Sequence, residues 1–234
     1  MLELTLRYPA SALAGKQRLT QDDALMLRGR MFVSGLVSEA DAWLLLALHK
    51  SSPEKSPQWS RWFVEAMADF FVNGGYAENF LDADDADCLL AMIAPDAVIR
   101  DNDELELLLH VMELSRDCPD ILSALALDQL RLALATGEGA YAAQRSCKRA
   151  GVSIEDLDYV YRIVRGKLDH GRLRLTQREA EALERIDTIV SDRLNHPGWR
   201  RLIDSVAVTG ECGSHSRGWL RLDEAGLPAL EEAA

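Results

Sequence analysis

The residues of this chain best suited to chemistry are aspartates that crowd its middle part, where they could hold a metal ion. Carboxylate oxygens are the ligands that hard divalent cations such as Ca²⁺ and Mg²⁺ prefer. The candidate metal ligands are Asp82, Asp84, Asp85, Asp96, Asp101 and Asp103. Acids at helix starts have a second explanation, because they accept hydrogen bonds from free amides and match the positive end of the helix dipole. We take capping as the first explanation and a divalent cation as the alternative.

Other residue types that do chemistry form no catalytic pattern in this sequence. The five histidines contain no H-E-x-x-H or H-x-x-x-H pair, the spacing of zinc ligands on helices. No serine stands in a G-x-S-x-G turn, and no two of the four cysteines form a C-x-x-C pair. The sequence therefore predicts no catalytic residues, no cofactor and a protein that is not an enzyme.

Charge narrows the range of partners. The chain has 26 Lys and Arg residues against 38 Asp and Glu residues, which gives a net charge of −12. A field of that sign repels phosphate backbones and anionic membrane surfaces. We expect no nucleic-acid or membrane partner, and instead another protein or a second copy of this chain.

The cysteines and the lengths of the apolar runs indicate in which cellular compartment the protein is expected. Cys88 and Cys118 fall in or beside apolar helical runs, where a free cysteine behaves as a small buried hydrophobe. The N-terminal residues lack the basic and apolar regions of a signal peptide, and the longest purely apolar run, residues 42–48, is too short to span a bilayer. These features predict a cytoplasmic protein.

A nine-residue phrase recurs six times and has the form of a helix start. It consists of an apolar residue, a capping residue, two further residues, an acid and then apolar residues at helical spacing. The copies span residues 19–27, 37–45, 81–89, 99–107, 152–160 and 175–183. The predicted caps are Thr20, Ser38, Asp82, Ser153 and Thr176. In the fourth copy Arg100 cannot cap, so we expect Asp101 and Glu104 to take over.

Each pair of helix starts is followed by a proline that opens a third helix. The prolines are Pro57, Pro119 and Pro197, and proline is tolerated in a first helical turn because that amide has no partner there. This spacing predicts an all-α fold of three tandem three-helix units with essentially no sheet. The aligned buried positions are Trp59, Ile121 and Trp199. His49 and His110 are also expected to be equivalents, near the ends of paired helices.

Glycine-rich stretches and the composition of the chain ends set the expected boundaries. Residues 1–18 form an N-terminal arm, 19–137 the first two units, 138–151 a linker and 152–208 the third unit. Residues 209–234 form an acidic tail or cap. Its candidate partner-binding residues are Trp219, Leu220 and Leu222, because they are too apolar for a purely solvated tail.

The stretch F-V-S-G-L-V-S-E-A-D-A-W-L-L around Gly35 is similar to the helix-loop-helix openings of the TerB family of tellurite-resistance proteins. It resembles EF-hands more distantly, with Gly35 and Asp41 at the glycine and final acid positions of the loop. The first and third ligand positions fall on Arg30 and Phe32, which offer no oxygen ligand to calcium. The resemblance implies a helical scaffold, and V-S-E-A-D-A-W-L-L and similar phrases also look like those of uncharacterised all-helical bacterial proteins.

Two functions remain as expectations from the sequence. The first is a non-enzymatic helical scaffold that binds another protein. The second is an acidic, TerB-like module that binds a divalent cation at the aspartates between 82 and 103.

Overall fold

A computed structural model of the chain describes residues 9–74, 79–146, 151–169 and 172–208. These ranges are mostly helical, which confirms the all-α prediction. The helices are α1 (Ala10–Leu13), α2 (Gln21–Arg30), α3 (Glu39–Ser51), α4 (Pro57–Asn73), α5 (Ala83–Ile93), α6 (Asn102–Leu114), α7 (Asp120–Ala135), α8 (Gly139–Gln144), α9 (Ile154–Val164), α10 (Gln177–Val190) and α11 (Pro197–Asp204), with a 3-10 turn at Arg165–Lys167.

The predicted helix starts are where the capping residues indicated. Thr20, Ser153 and Thr176 each form a capping box, in which the side chain accepts from the third amide and the acid at that position reaches back. Ser38 and Asp82 also cap their helices. In the departing fourth copy Asp101 takes over as expected, but Glu104 completes no capping box and pairs with Lys50 instead. The carboxylate of Asp101 accepts from the Asp103 amide at 2.8 Å.

The alignment of the third helices needs a correction at α7. Ser56 and His196 cap α4 and α11, so Pro57 and Pro197 are first helical residues. Pro119 is instead the N-cap of α7, and that helix begins one residue later. The residue that corresponds to Trp59 and Trp199 is therefore Leu122, which is fully buried, and not Ile121, which is only partly buried.

Two small sheets differ from the expectation of essentially no sheet. β1 (Arg18–Leu19) pairs in parallel with β2 (Glu54–Lys55). β4 (Arg172–Leu175) pairs antiparallel with β3 (Leu168–Asp169) and parallel with β5 (Val206–Val208). In β4 buried leucines alternate with exposed arginines over only four residues, which is too short to stand out as a strand pattern.

The predicted linker contains a helix that the sequence analysis missed. Gly137 ends α7 in a left-handed conformation, with φ of +76°, as expected of a helix stop. Residues 139–144 then form α8, whose Ala140, Tyr141 and Ala142 are buried. In the predicted N-terminal arm, α1 and β1 are formed, and residues 1–8 lie outside the described ranges.

Two helix pairs account for the most extensive packing between helices. The two most extensive helix pairs are α4 with α6 and α7 with α10. The core is one continuous apolar cluster, in which Trp59, Phe63 and Trp199 are among the largest fully buried side chains. No helix in the described ranges combines the length and the apolar content that crossing a membrane requires.

Candidate functional site

The polar cluster best placed for chemistry lies between α3, α4 and α6. The His49 side chain is fully buried and stacks on Phe63, with ring centroids 4.0 Å apart. Its Nε2 atom lies 3.3 Å from Oδ1 of Asp101 and 3.7 Å from Oδ2 of Asp103. Lys55 Nζ donates to the other oxygen of Asp101 at 3.1 Å. The cap of α6 is thereby tied to a buried side chain of α3 and to β2.

Trp59 determines which ring nitrogen of His49 carries the proton. The indole Nε1–H can only donate, and it lies 3.2 Å from Nδ1 of His49, so Nδ1 accepts. In the neutral ring the proton is then on Nε2, where it donates to Asp101. Burial would raise the pKa of Asp101, but hydrogen bonds from His49 and Lys55 outweigh it and hold that pKa well below its usual range.

These three residues form the metal-ligand group that the described ranges contain. One ligand atom from each of His49, Asp101 and Asp103 lies within 4.8 Å of the other two. A neutral histidine that binds a metal through Nε2 carries its proton on Nδ1 and donates it to an acceptor. Here Nδ1 faces the Trp59 N–H, which is a donor, and Lys55 already neutralises Asp101. The donor set therefore fits a structural network better than a cation site.

The other predicted metal ligands are spread over separate structures. Asp82 accepts from the Asp85 amide at 2.8 Å as the cap of α5, and Asp84 is exposed in the first turn. Asp96 forms a bidentate ion pair with Arg100 at 2.7 and 2.9 Å. Of the six aspartates, the structure brings only Asp101 and Asp103 into the group with His49.

His110 is not the counterpart of His49. Because Asp101 and not Arg100 is the cap of α6, the position eleven residues after the cap belongs to Met112. His110 instead lies 3.7 Å from Glu113 on its own helix, partly exposed. Counted from Arg100, His110 is one residue short of that position, and counted from the observed cap Asp101 it is two residues short, so the expected equivalence fails.

Four of the acids at the third helical position are buried with a cationic partner, a feature that sequence reasoning missed. These ion pairs are Asp23 with Lys16, Glu104 with Lys50, Asp156 with Arg145 and Glu179 with Lys167. The capping phrase identified the acids, but the cations stand at different distances along the chain. No repeating sequence signal therefore marks them.

The pair of Asp156 and Arg145 is the most enclosed of the four. The side chains are 1% and 4% exposed, and Arg145 donates to both carboxylate oxygens, at 2.9 and 2.7 Å. Tyr141 donates to the same carboxylate at 3.0 Å. Burial would raise the pKa of Asp156, but the bonds from Arg145 and the Ser153 amide lower it below the usual value.

The candidate nucleophiles of the described ranges are held in unreactive surroundings. Burial raises the pKa of the Cys88 and Cys118 thiols to about 11, so both are protonated at neutral pH. The Ser123 hydroxyl is buried and donates to Glu179, which Lys167 also contacts. The thiols at Cys147 and Cys212 lie outside the described residues.

An open groove runs between α2 and α4. It consists of two adjoining depressions of about 160 and 320 Å³ that share Arg28, Trp62 and Glu65, and we call it the α2–α4 groove. Exposed aliphatic side chains stand in it, with Leu25 55% and Val33 72% exposed. A groove that combines apolar side chains with a few polar ones is the candidate binding surface of the described residues.

Comparisons with known proteins identify no relative of this chain. No known protein family, no curated protein and no solved structure matches it. The resemblance to TerB proteins remains a prediction. The predicted partner-binding residues Trp219, Leu220 and Leu222 lie outside the described residues.

Proposed function

We propose that this chain is a non-enzymatic scaffold of three tandem three-helix units that binds another protein through the α2–α4 groove. The units would be α2–α4, α5–α7 and α9–α11. The observation that carries the proposal is the groove itself, which presents Leu25 and Val33 to solvent beside the half-buried ring of Trp62. Buried charged groups, in contrast, are used to cap and connect helices.

Support for the tandem arrangement comes from the two buried tryptophans. The indole of Trp59 donates to His49, eleven residues after the cap of α3. The indole of Trp199 donates at 2.9 Å to Asp187, eleven residues after the cap of α10. In the middle unit the corresponding positions are Met112 and Leu122, both apolar, so the donor and its acceptor are replaced together.

A second recurring bond supports the same arrangement. The amide of Ser56 donates to the Leu19 carbonyl at 2.8 Å, and the amide of His196 donates to the Val152 carbonyl at 2.7 Å. In each case the cap of a third helix bonds to the residue before the cap of a first helix. The middle unit has Pro119 at this position, which has no amide hydrogen to donate.

Affinity capture from the native host tests the proposed function. The bait is the whole chain, compared with the variant Leu25→Asp/Val33→Asp and with Leu194→Asp, a control at a side chain that is 95% exposed outside the groove. We expect a specific partner that the wild type and the control retain and the groove variant loses. Retention by the groove variant, or the absence of any partner, contradicts the groove as the binding surface.

A shortened chain that ends at Val208 separates the two predicted binding surfaces. Loss of the partner with this chain, and retention by the groove variant, would assign binding to the segment that contains Trp219, Leu220 and Leu222. The scaffold function would then stand and the groove would not.

The second candidate function is a divalent-cation module at His49, Asp101 and Asp103, favoured by the closeness of their ligand atoms. Calorimetric titration with Ca²⁺, Mg²⁺, Mn²⁺ and Zn²⁺ tests it, together with thermal melting. A cation that binds the folded state must raise the melting temperature. We expect no heat of binding and no shift in the melting temperature. Trp59 donates to the nitrogen of His49 that would itself have to donate in a metal complex, and Lys55 already pairs with Asp101.

A further inference from the structure

The α2–α4 groove carries a charge order along its length. Arg61 stands beside the first depression only and Asp69 beside the second only, while Arg28 and Glu65 line both, so the first has two arginines and one acid and the second one arginine and two acids. Within the described part of the chain, neither arginine has an acidic partner and Glu65 has no cationic one. In a chain with a net charge of −12, two arginines that remain unpaired beside apolar surface are available to a partner.

The dimensions of the groove fit a helix. β1 and β2 pair in parallel, and α2 and α4 follow them directly in the chain. On α4 the groove extends from Gln58 to Asp69, which at 1.5 Å per residue is about 16 Å, or three helical turns. An amphipathic helix lays its apolar face into such a channel between helices.

The chain itself places a helix at the corresponding position of the second unit. Ile99 precedes the cap of α6 by two residues, as Leu36 precedes the cap of α3. Gln129 follows the cap of α7 by ten residues, as Ala66 follows the cap of α4. Gln129 accepts from the Ile99 amide at 2.9 Å, and the Ala140 amide at the start of α8 donates to the Ile99 carbonyl at 2.7 Å.

In the first unit no helix of the described chain occupies this position, although Leu36 itself is buried. Leu36 and Ala66 line the second depression of the groove, and no helix of the described chain lies on them as α8 lies on Ile99 and Gln129. The difference follows from the linkers, because residues 136–152 between α7 and α9 include α8, whereas only residues 74–81 join α4 to α5.

We propose that the α2–α4 groove binds an amphipathic helix of a partner protein, about three turns long, with acidic residues at one end and basic residues at the other. Its acidic end faces Arg61 in the first depression, and its basic end faces Asp69 in the second. An apolar face of small and aliphatic side chains covers Leu25, Val33 and Trp62. This partner class rests on the scaffold function proposed above.

Designed peptides of about 14 residues test the charge order directly. All three carry the same Ala and Leu face and a side-chain cross-link that holds them helical, because short helices are marginal in water. The first has Glu at one end and Lys at the other, the second only Lys and the third only Glu. Fluorescence anisotropy with the whole chain should show the first binding at least about tenfold more tightly than either other peptide.

Two variants decide whether the groove is responsible. Val33→Asp should weaken binding by about tenfold or more, whereas the exposed control Leu194→Asp should leave it unchanged. The variant Arg28→Glu/Arg61→Glu makes the groove acidic throughout and should transfer the preference to the all-Lys peptide. That transfer is a gain of binding rather than a loss, and it counts only for a variant whose circular dichroism matches that of the wild type.

Other results overturn the inference. No binding up to about 1 mM, or binding that Val33→Asp leaves intact, excludes a helix in this groove. A preference that does not follow the charge reversal excludes the proposed charge order. Sedimentation that shows a wild-type dimer dissolved by Val33→Asp assigns the groove to a second copy of the chain. A partner captured through the groove that is not such a helix would leave the scaffold function standing while this partner class fails.

Discussion

The starts of α9 and α5 share one sequence plan and differ in what surrounds them. Each has a side-chain cap and an acid at its third position, Asp156 in α9 and Asp85 in α5. Asp156 is sealed by Arg145 and Tyr141, which come from the linker that forms α8. Asp85 is half-buried, and within the described residues no cation pairs with it.

The pKa values of the two carboxyl groups are therefore shifted in opposite directions. Burial and the negative charge of Asp82 raise the pKa of Asp85 above its usual value. At Asp156 burial acts in the same direction, but the hydrogen bonds from Arg145 and Ser153 reverse the outcome and lower the pKa. The charge state of a helix start is thus set by the chain outside the helix. A longer linker can supply the compensating cation.

Removing the cation should have the largest effect. Arg145→Met leaves Asp156 buried without its partner, and breaking a buried pair in this way costs about 3–5 kcal/mol. Urea unfolding monitored by circular dichroism measures the loss. The control is Arg100→Met, which removes an exposed pair with Asp96 and should leave the free energy of unfolding almost unchanged. Equal losses at the two positions would contradict the contrast between sealed and open helix starts.

Asp156 and Asp85 should contribute to the pH dependence of stability with opposite signs. The lowered pKa of Asp156 contributes stability that is complete above the unfolded value of about 3.9 and is lost as pH falls through the lower folded pKa. The raised pKa of Asp85 makes an opposite contribution, because the cost of its charge is relieved as pH falls through a folded pKa above that value.

Asp156→Asn and Asp85→Asn make this difference measurable. At neutral pH the first variant should be less stable than the wild type and the second slightly more stable. The deficit of Asp156→Asn should shrink only below about pH 4, and the excess of Asp85→Asn should shrink at a higher pH. Urea midpoints recorded between neutral pH and about pH 2 give both profiles. Profiles of the same sign would show that Arg145 does not determine the difference.

Replacing either buried tryptophan by phenylalanine should have a smaller effect on stability. The two losses should differ because the acceptors of the two indoles lie in different surroundings. Trp59→Phe leaves Nδ1 of His49 without a donor inside the core, whereas Trp199→Phe leaves the partly exposed Asp187 able to bind water. An unpaired buried acceptor costs about 1–3 kcal/mol, so Trp59→Phe should be the more destabilising by about 1 kcal/mol. Thermal unfolding of both variants checks this order. The double variant Trp59→Phe/His49→Leu should recover part of the loss.

The sequence predicted the helix starts well because capping is a local interaction. Thr20 and Thr176 lie three residues from the acids that complete their capping boxes, so the spacing alone was informative. The shift of the cap from Arg100 to Asp101 was also predictable, since arginine has no acceptor for an amide. At Pro119 the same reasoning failed, because proline is accepted both as a cap and as a first helical residue.

The candidate sites were harder to predict because their residues meet through tertiary packing. Asp101 and Asp103 were candidates from the start, but His49 reaches them from another helix, 52 residues before Asp101 in the chain. Arg145 was part of a predicted linker, with no sign that it would enter the core. The α2–α4 groove exists because no other part of the described chain covers that surface. A pattern of residue types does not show which surfaces stay uncovered.

The variant Glu104→Gln should show whether burial or ion pairing determines how much these acids contribute to stability. It is as buried as Asp156, yet its pKa is raised by burial as that of Asp85 is. Its partner Lys50 is 47% exposed and lies 3.0 Å from one oxygen, without the two-point hydrogen bonding that Arg145 provides. If burial decided, Glu104→Gln would cost as much as Asp156→Asn. We expect pairing to decide, so Glu104→Gln should lower the free energy of unfolding in urea by clearly less than Asp156→Asn does.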